Sequence, residues 1–155
     1  MNDRNAFNVL VLNGQIKVLE CSSKGDTRFS ALSAKVLVNG NLDTIENHYQ
    51  LSKRFNGLAP LDWRDAKGKQ PTSFVVGDRE IAFMYLSQWY ELLWCKYLDA
   101  HPELVEFASN YDDFSDRFRG KKTINCQADV IRQYVKEGRD SLIAECSDLI
   151  IILKD

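Results

Sequence analysis

The segment Arg79 to Leu98 constrains the fold most. Ile81, Phe83, Met84, Leu86, Trp89, Leu92, Leu93, Trp94 and Tyr97 spread nearly all round a helical period, so the spacing predicts one helix over 79–98. A helix that is apolar on most faces must be covered on most faces. Either it lies at the centre of the fold with other elements wrapped round it, or it shares a face with a second copy of the chain as a homodimer. With 155 residues the chain can supply the wrapping within one domain, 1–155. A domain of that size buries roughly 68–70% of the surface its unfolded chain exposes.

Composition narrows the class. The chain is 45% hydrophobic and 27% charged, which is ordinary for a globular protein and too apolar for a disordered one. No apolar run approaches the ~20 residues that span a bilayer, so no membrane association is expected. Met1-Asn2-Asp3-Arg4 is followed by no apolar leader core, and the expected location is cytoplasmic. Twenty basic against twenty-two acidic residues exert no global pull toward nucleic acid. The local exception is Arg117, Arg119, Lys121 and Lys122, either a solvated loop or an anion clamp. Cys21, Cys95, Cys126 and Cys146 match neither a zinc pattern nor a C-x-x-C motif and are read as reduced, mostly buried thiols. Asp112, Asp113 and Asp116 lack the alternating spacing of a calcium loop, so no metal is expected, and no cofactor.

Phe7 to Leu12 and Gln15 to Cys21 are strand-like and flank Asn13-Gly14, which predicts a β-hairpin. Ser22 to Thr27 is loop-like, and Ala34 to Val38 is a strand ending at Asn39-Gly40. Asp43 or Thr44 then caps a helix that runs to Phe55 and stops at Asn56-Gly57. Leu58 to Thr72 is a long connection of the kind that forms functional flaps. Phe74 to Val76 with Gly77-Asp78 reads as strand and turn. Pro102 opens a helix to about Ala108, Asn110 to Lys122 is a loop, and Ala128 to Lys136 is helical. Leu149 to Leu153 fits a helix or a strand equally. Hairpin signals early and helices late point to an α+β domain, a small mixed or antiparallel sheet with several packed helices.

The chemistry-bearing stretch is 44–53. On one helix Glu46, Gln50 and Lys53 fall at i, i+4 and i+7 and form a polar stripe, with Tyr49 beside it. Such a stripe is either a solvated face with a weak ion pair or the wall of a pocket. In a pocket, the carboxylate and the ammonium would have shifted pKa values suited to acid, base or nucleophile roles. His48 lies on another face and is read as a partly buried structural histidine.

Arg28-Phe29-Ser30, a strand to Gly40, and Thr44-x-Glu46-x-x-Tyr49-Gln50-x-x-Lys53 resemble the opening of a NADAR (NAD- and ADP-ribose-associated) domain. Asn110 to Asp116 is similar to the family's Trp-Gly-Asp element, and Gly120-Lys121 leading to Asn125 to its Gly-Lys-Asn segment. Order and spacing agree from residue 28 to about 137. Ala31, Phe114, Ser115 and Arg117 depart from the family's usual residues, and the hairpin within 1–21 stands as an addition, so the chain looks like a divergent member.

The resemblance implies hydrolysis of an N-glycosidic bond in an ADP-ribosylated or ribosylated base or nucleotide, with the base free or in a nucleic acid. It implies Glu46, Lys53 and Asp116 as the reacting set. Arg28, Phe29, Ser30, Tyr49, Gln50, Trp63, Lys121 and Asn125 would hold the ligand: Arg28 and Lys121 on phosphate, Gln50 and Asn125 on sugar or base, Trp63 or Phe29 stacked on the base. Two other readings stay open. One is a module that binds an ADP-ribose derivative without turnover; the other is a structural protein that dimerises through 79–98.

Overall fold

The computed structural model describes residues 9–12, 16–116 and 126–154. Among them the architecture is α+β, with helices packed around small sheets. Strands β1 (Val9–Leu12) and β2 (Ile16–Glu20) form the expected antiparallel hairpin, with Leu12 opposite Ile16. The turn predicted at Asn13-Gly14 lies outside the described residues. Strand β3 (Lys35–Val38) turns through Asn39 at φ 50° and Gly40 at φ 80° into β4 (Asn41–Thr44). Two successive positive φ values are what a two-residue hairpin turn requires, and Asn-Gly adopts them at least cost. The polar run Asn41–Thr44 shows no strand pattern by itself; it is a strand because β3 pairs with it.

Helix α1 (Ile45–Ser52) begins where predicted, and of the two candidate caps it is Thr44 whose hydroxyl accepts from the Asn47 amide at 3.1 Å. It ends at Ser52, three residues short of the expected Phe55. Lys53 turns extended, and Lys53–Arg54 becomes β5, opposite Phe74 and Ser73 of β6 (Ser73–Val76). Asn56 (φ 52°) and Gly57 (φ 88°) do not terminate the helix; they form the turn that bridges Phe55 to Leu58. A one-turn helix, α2 (Trp63–Ala66), interrupts the long connection.

The predicted 79–98 helix is also shorter than its pattern. Gly77 at φ 64° turns the chain from β6 into β7 (Arg79–Ala82), where Ile81 sits opposite Phe74. One turn of 3-10 helix (Phe83–Tyr85) precedes α3 (Leu86–Asp99). A four-residue strand that buries one side chain mimics a helical phase when it abuts a true helix, and only the hairpin partner separates the two.

Helix α4 (Pro102–Ala108) carries Pro102 in its first turn as expected. The predicted loop 110–122 contains a strand, β8 (Asp113–Ser115), parallel to β2 with Leu19 opposite Phe114. Helices α5 (Gln127–Arg132), α6 (Arg139–Glu145) and α7 (Ser147–Lys154) follow, which makes the undecided tail helical.

Helix α3 is the axis of the core. Leu86, Trp89, Tyr90, Leu92, Leu93, Trp94, Cys95, Tyr97 and Leu98 are all buried within the one chain, leaving Ser87, Lys96 and Asp99 exposed. Phe29, Tyr49, Phe74, Phe114, Ile131, Leu142 and Leu149 complete the same apolar cluster, so every layer of the fold contributes to covering α3. Each such side chain contributes about 1.5–3 kcal/mol on burial. No helix of the described residues is long and apolar enough to cross a membrane.

Candidate functional site

The site begins with the start of α1. The Ile45 and Glu46 amides donate to the carbonyls of Ala34 (2.9 Å) and Ala31 (3.0 Å), so the first turn is moored to the turn that follows Phe29. That mooring drives the polar edge of α1 inward. Glu46, Gln50 and Lys53 are all buried, with Lys53 only 1% exposed. The Gln50 amide donates to the Glu46 carboxylate at 3.4 Å, across one helical turn.

Lys53 reaches the same place from strand β5. Its ammonium donates to the Ala66 carbonyl at 3.2 Å and the Lys69 carbonyl at 3.0 Å, and lies 5.1 Å from the centre of the Tyr49 ring. It therefore ties α2 and the turn after it to α1. That tie brings in a cation that the spacing of 44–53 does not reveal. Lys67 Nζ sits 3.9 Å from Glu46 Oε2 and 5.3 Å from the centre of the half-buried Trp63 ring, over which Arg64 also lies, at 4.5 Å. The available signal is local: Asp62 caps α2 by accepting from the Asp65 amide, and Trp63 and Lys67 are four apart.

Burial pushes the Glu46 carboxyl above its ordinary value, against the opposing pull of Lys67, the Gln50 amide and Lys53. Burial likewise lowers the Lys53 ammonium to about 8, with Glu46 resisting. Tyr90 of α3 feels the fields of both Glu46 and Asp116. Burial raises its phenol strongly, Trp94 opposes through a hydrogen bond, and the negative fields of both Glu46 and Asp116 add to the rise. Asp116, half-buried just after β8, thus acts on the same buried phenol as Glu46.

The other predicted residues are placed as follows. Arg28 forks onto the buried Asp26 carboxylate, at 2.9 and 2.6 Å, with its guanidinium 4.5 Å from the centre of the Phe107 ring. Phe29 is fully buried and stacked on Phe107, so its ring is part of the core. Ser30 is buried too, its hydroxyl accepting from the Leu32 amide at 3.3 Å. Lys121, Asn125 and the basic cluster from Arg117 lie outside the described residues. His48 donates from Nε2 to the Val36 carbonyl at 2.8 Å and holds α1 to β3. The four cysteines are free thiols, and burial pushes half-buried Cys126 up, away from the thiolate. Among the described residues no group of three or more His, Cys, Asp and Glu side chains is placed to hold a metal ion.

The array is thus a carboxylate under desolvation, a buried ammonium, a part-exposed lysine and a half-buried indole brought together around Glu46. Such a set places a proton acceptor beside proton donors, which is what acid–base chemistry requires. In comparisons with known proteins, the sequence model described as DarT1-associated NADAR antitoxin matches residues 7–149, a span that takes in the N-terminal hairpin. No curated protein matches the chain.

Proposed function

Because the chain belongs to the DarT1-associated NADAR antitoxin family, its role is ADP-ribose-related, and we propose that it hydrolyses the N-glycosidic bond between ADP-ribose and a base. Breaking that bond leaves positive charge on the anomeric carbon and negative charge on the departing base. Glu46 provides the carboxylate that faces the developing cation and takes a proton from the attacking water. Lys53 provides the ammonium that counters charge on the leaving base and donates its proton. Asp116, whose field reaches the Tyr90 phenol as that of Glu46 does, adds a second negative charge. Trp63 stacks on the base, and Gln50 orients the sugar or base through its amide oxygen, which meets no hydrogen-bond partner among the described residues.

The observation that carries the reading is the burial of Glu46 together with Lys53, with Lys67 as a loose third charge. A fold that only needed a polar surface would leave this stripe in water. Desolvation makes Glu46 a stronger base and Lys53 a stronger acid than in water. The test is incubation of the protein with ADP-ribosylated guanosine, NAD and nucleoside monophosphates, with released base followed by mass spectrometry. Release that Glu46→Gln abolishes supports hydrolysis. Binding without release turns the reading to a module that sequesters the ligand.

A further inference from the structure

The two lysines near Glu46 are held in opposite ways. Lys53 is enclosed, and two of its three protons are committed to the carbonyls of Ala66 and Lys69. Lys67 is 39% exposed, and its 3.9 Å approach to Glu46 is too long for a hydrogen bond. Its other neighbour is the face of Trp63, at 5.3 Å. A lysine with a long, weakly held ion pair and a solvent path is free to move toward a stronger anion, whereas Lys53 is not. The carbonyls that Lys53 holds flank Lys67 in sequence, so the fixed lysine sets the place from which the mobile one reaches.

We propose that Lys67 binds the diphosphate of the ligand, leaving Glu46 when the site fills, its segment anchored by the two carbonyl hydrogen bonds that Lys53 makes besides its part in the chemistry. The proposal rests on the ADP-ribose reading of the site. A diphosphate carries two negative charges and several acceptor oxygens, against one shielded carboxylate, so the exchange favours the ligand. It also couples binding to chemistry: the cation that pairs with Glu46 in the empty site is withdrawn as the sugar arrives. Selectivity follows, because adenosine lacks the group that draws Lys67 away.

The test is calorimetric titration of the full chain with ADP-ribose and with adenosine, for wild type, Lys67→Met and Lys67→Arg. Lys67→Met is expected to weaken ADP-ribose binding about tenfold or more, to leave adenosine within about twofold, and to be largely rescued by arginine; tenfold corresponds to about 1.4 kcal/mol. Equal losses for both ligands, no loss for either, or no binding of ADP-ribose by wild type overturns the assignment. Absence of base release from a wild type that binds ADP-ribose through Lys67 overturns only the hydrolase reading.

Discussion

Two carboxylates, one at the end of α3 and one in the first turn of α1, have opposite fates. Asp99, at the end of α3, takes Arg139 Nε on both oxygens at 2.8 and 3.0 Å and the Tyr134 hydroxyl at 2.6 Å. Burial works against its charge, but the hydrogen bonds from Arg139 and Tyr134 outweigh it and hold the carboxyl below its ordinary value. Glu46 is more deeply buried, and its partners are an amide at 3.4 Å and a lysine at 3.9 Å. Burial wins there and the carboxyl rises. A carboxylate whose acceptor capacity is filled by the protein has nothing left to offer a substrate and serves as a joint between α3 and α6. A buried carboxylate with long, weak partners is held ready for a ligand.

Four changes sharpen or break that contrast. The largest effect is expected from Glu46→Gln, which keeps the shape and removes the charge. Base release should fall about 10²–10⁴-fold, while thermal stability rises at neutral pH. The sign follows from the raised pKa: the folded state binds this proton more tightly than the unfolded chain. The ionised carboxyl therefore weighs against the fold as pH rises above the ordinary glutamate value, and the gain in Tm should vanish below pH ~4.3. A Tm that falls at pH 7 would make Glu46 a joint like Asp99.

Lys53→Met comes next. Activity should drop about 10²-fold or more, and the loss of a donor to two carbonyls should cost about 1–3 kcal/mol in denaturant unfolding. The wild-type rate should fall as pH rises through about 8, where the ammonium loses its proton. A rate that instead climbs through that pH, with an adduct on Lys53 trapped by borohydride, would make the amine a nucleophile.

Asp99→Ala should leave base release within about twofold and lower stability by about 1–2 kcal/mol, reduced from a fully buried case because both partners are part-exposed. Its stabilising contribution is present at neutral pH, above the ordinary carboxylate value, and is lost in acid as pH falls through the depressed value. Tyr134→Phe is the smallest change, about 0.5–1.5 kcal/mol, with no effect on turnover. A loss of base release in either variant would show that the joint and the site are coupled through α3.

The sequence signals that succeeded were local ones. Asn39-Gly40 marked a turn because only two adjacent residues are needed to set it, and Pro102 marked a helix start for the same reason. Asn56-Gly57 carries the same signal and was misread as a helix stop, since whether it follows a helix or a strand is settled by β6, seventeen residues on from Asn56 at Ser73. Strands β4, β7 and β8 were illegible: three or four residues are strand only when a partner supplies their hydrogen bonds. In the site, the one-turn spacing of Glu46 and Gln50 was legible. The position of Lys53 on a strand was not, because it depends on β6 and on the carbonyls of α2.

The amino-acid order alone determined the α+β class, the helix start at Asp43-Thr44, the face shared by Glu46 and Gln50, and the family resemblance. The helix start and the shared face rest on residues within a few positions of each other, where backbone preference and helical period decide; the class and the resemblance rest on the order of such local signals along the chain. Only the tertiary structure decided that this face points inward, that Lys53 is enclosed and that Lys67 arrives at Glu46. Burial, and the electrostatics that burial controls, depend on which distant segments pack there.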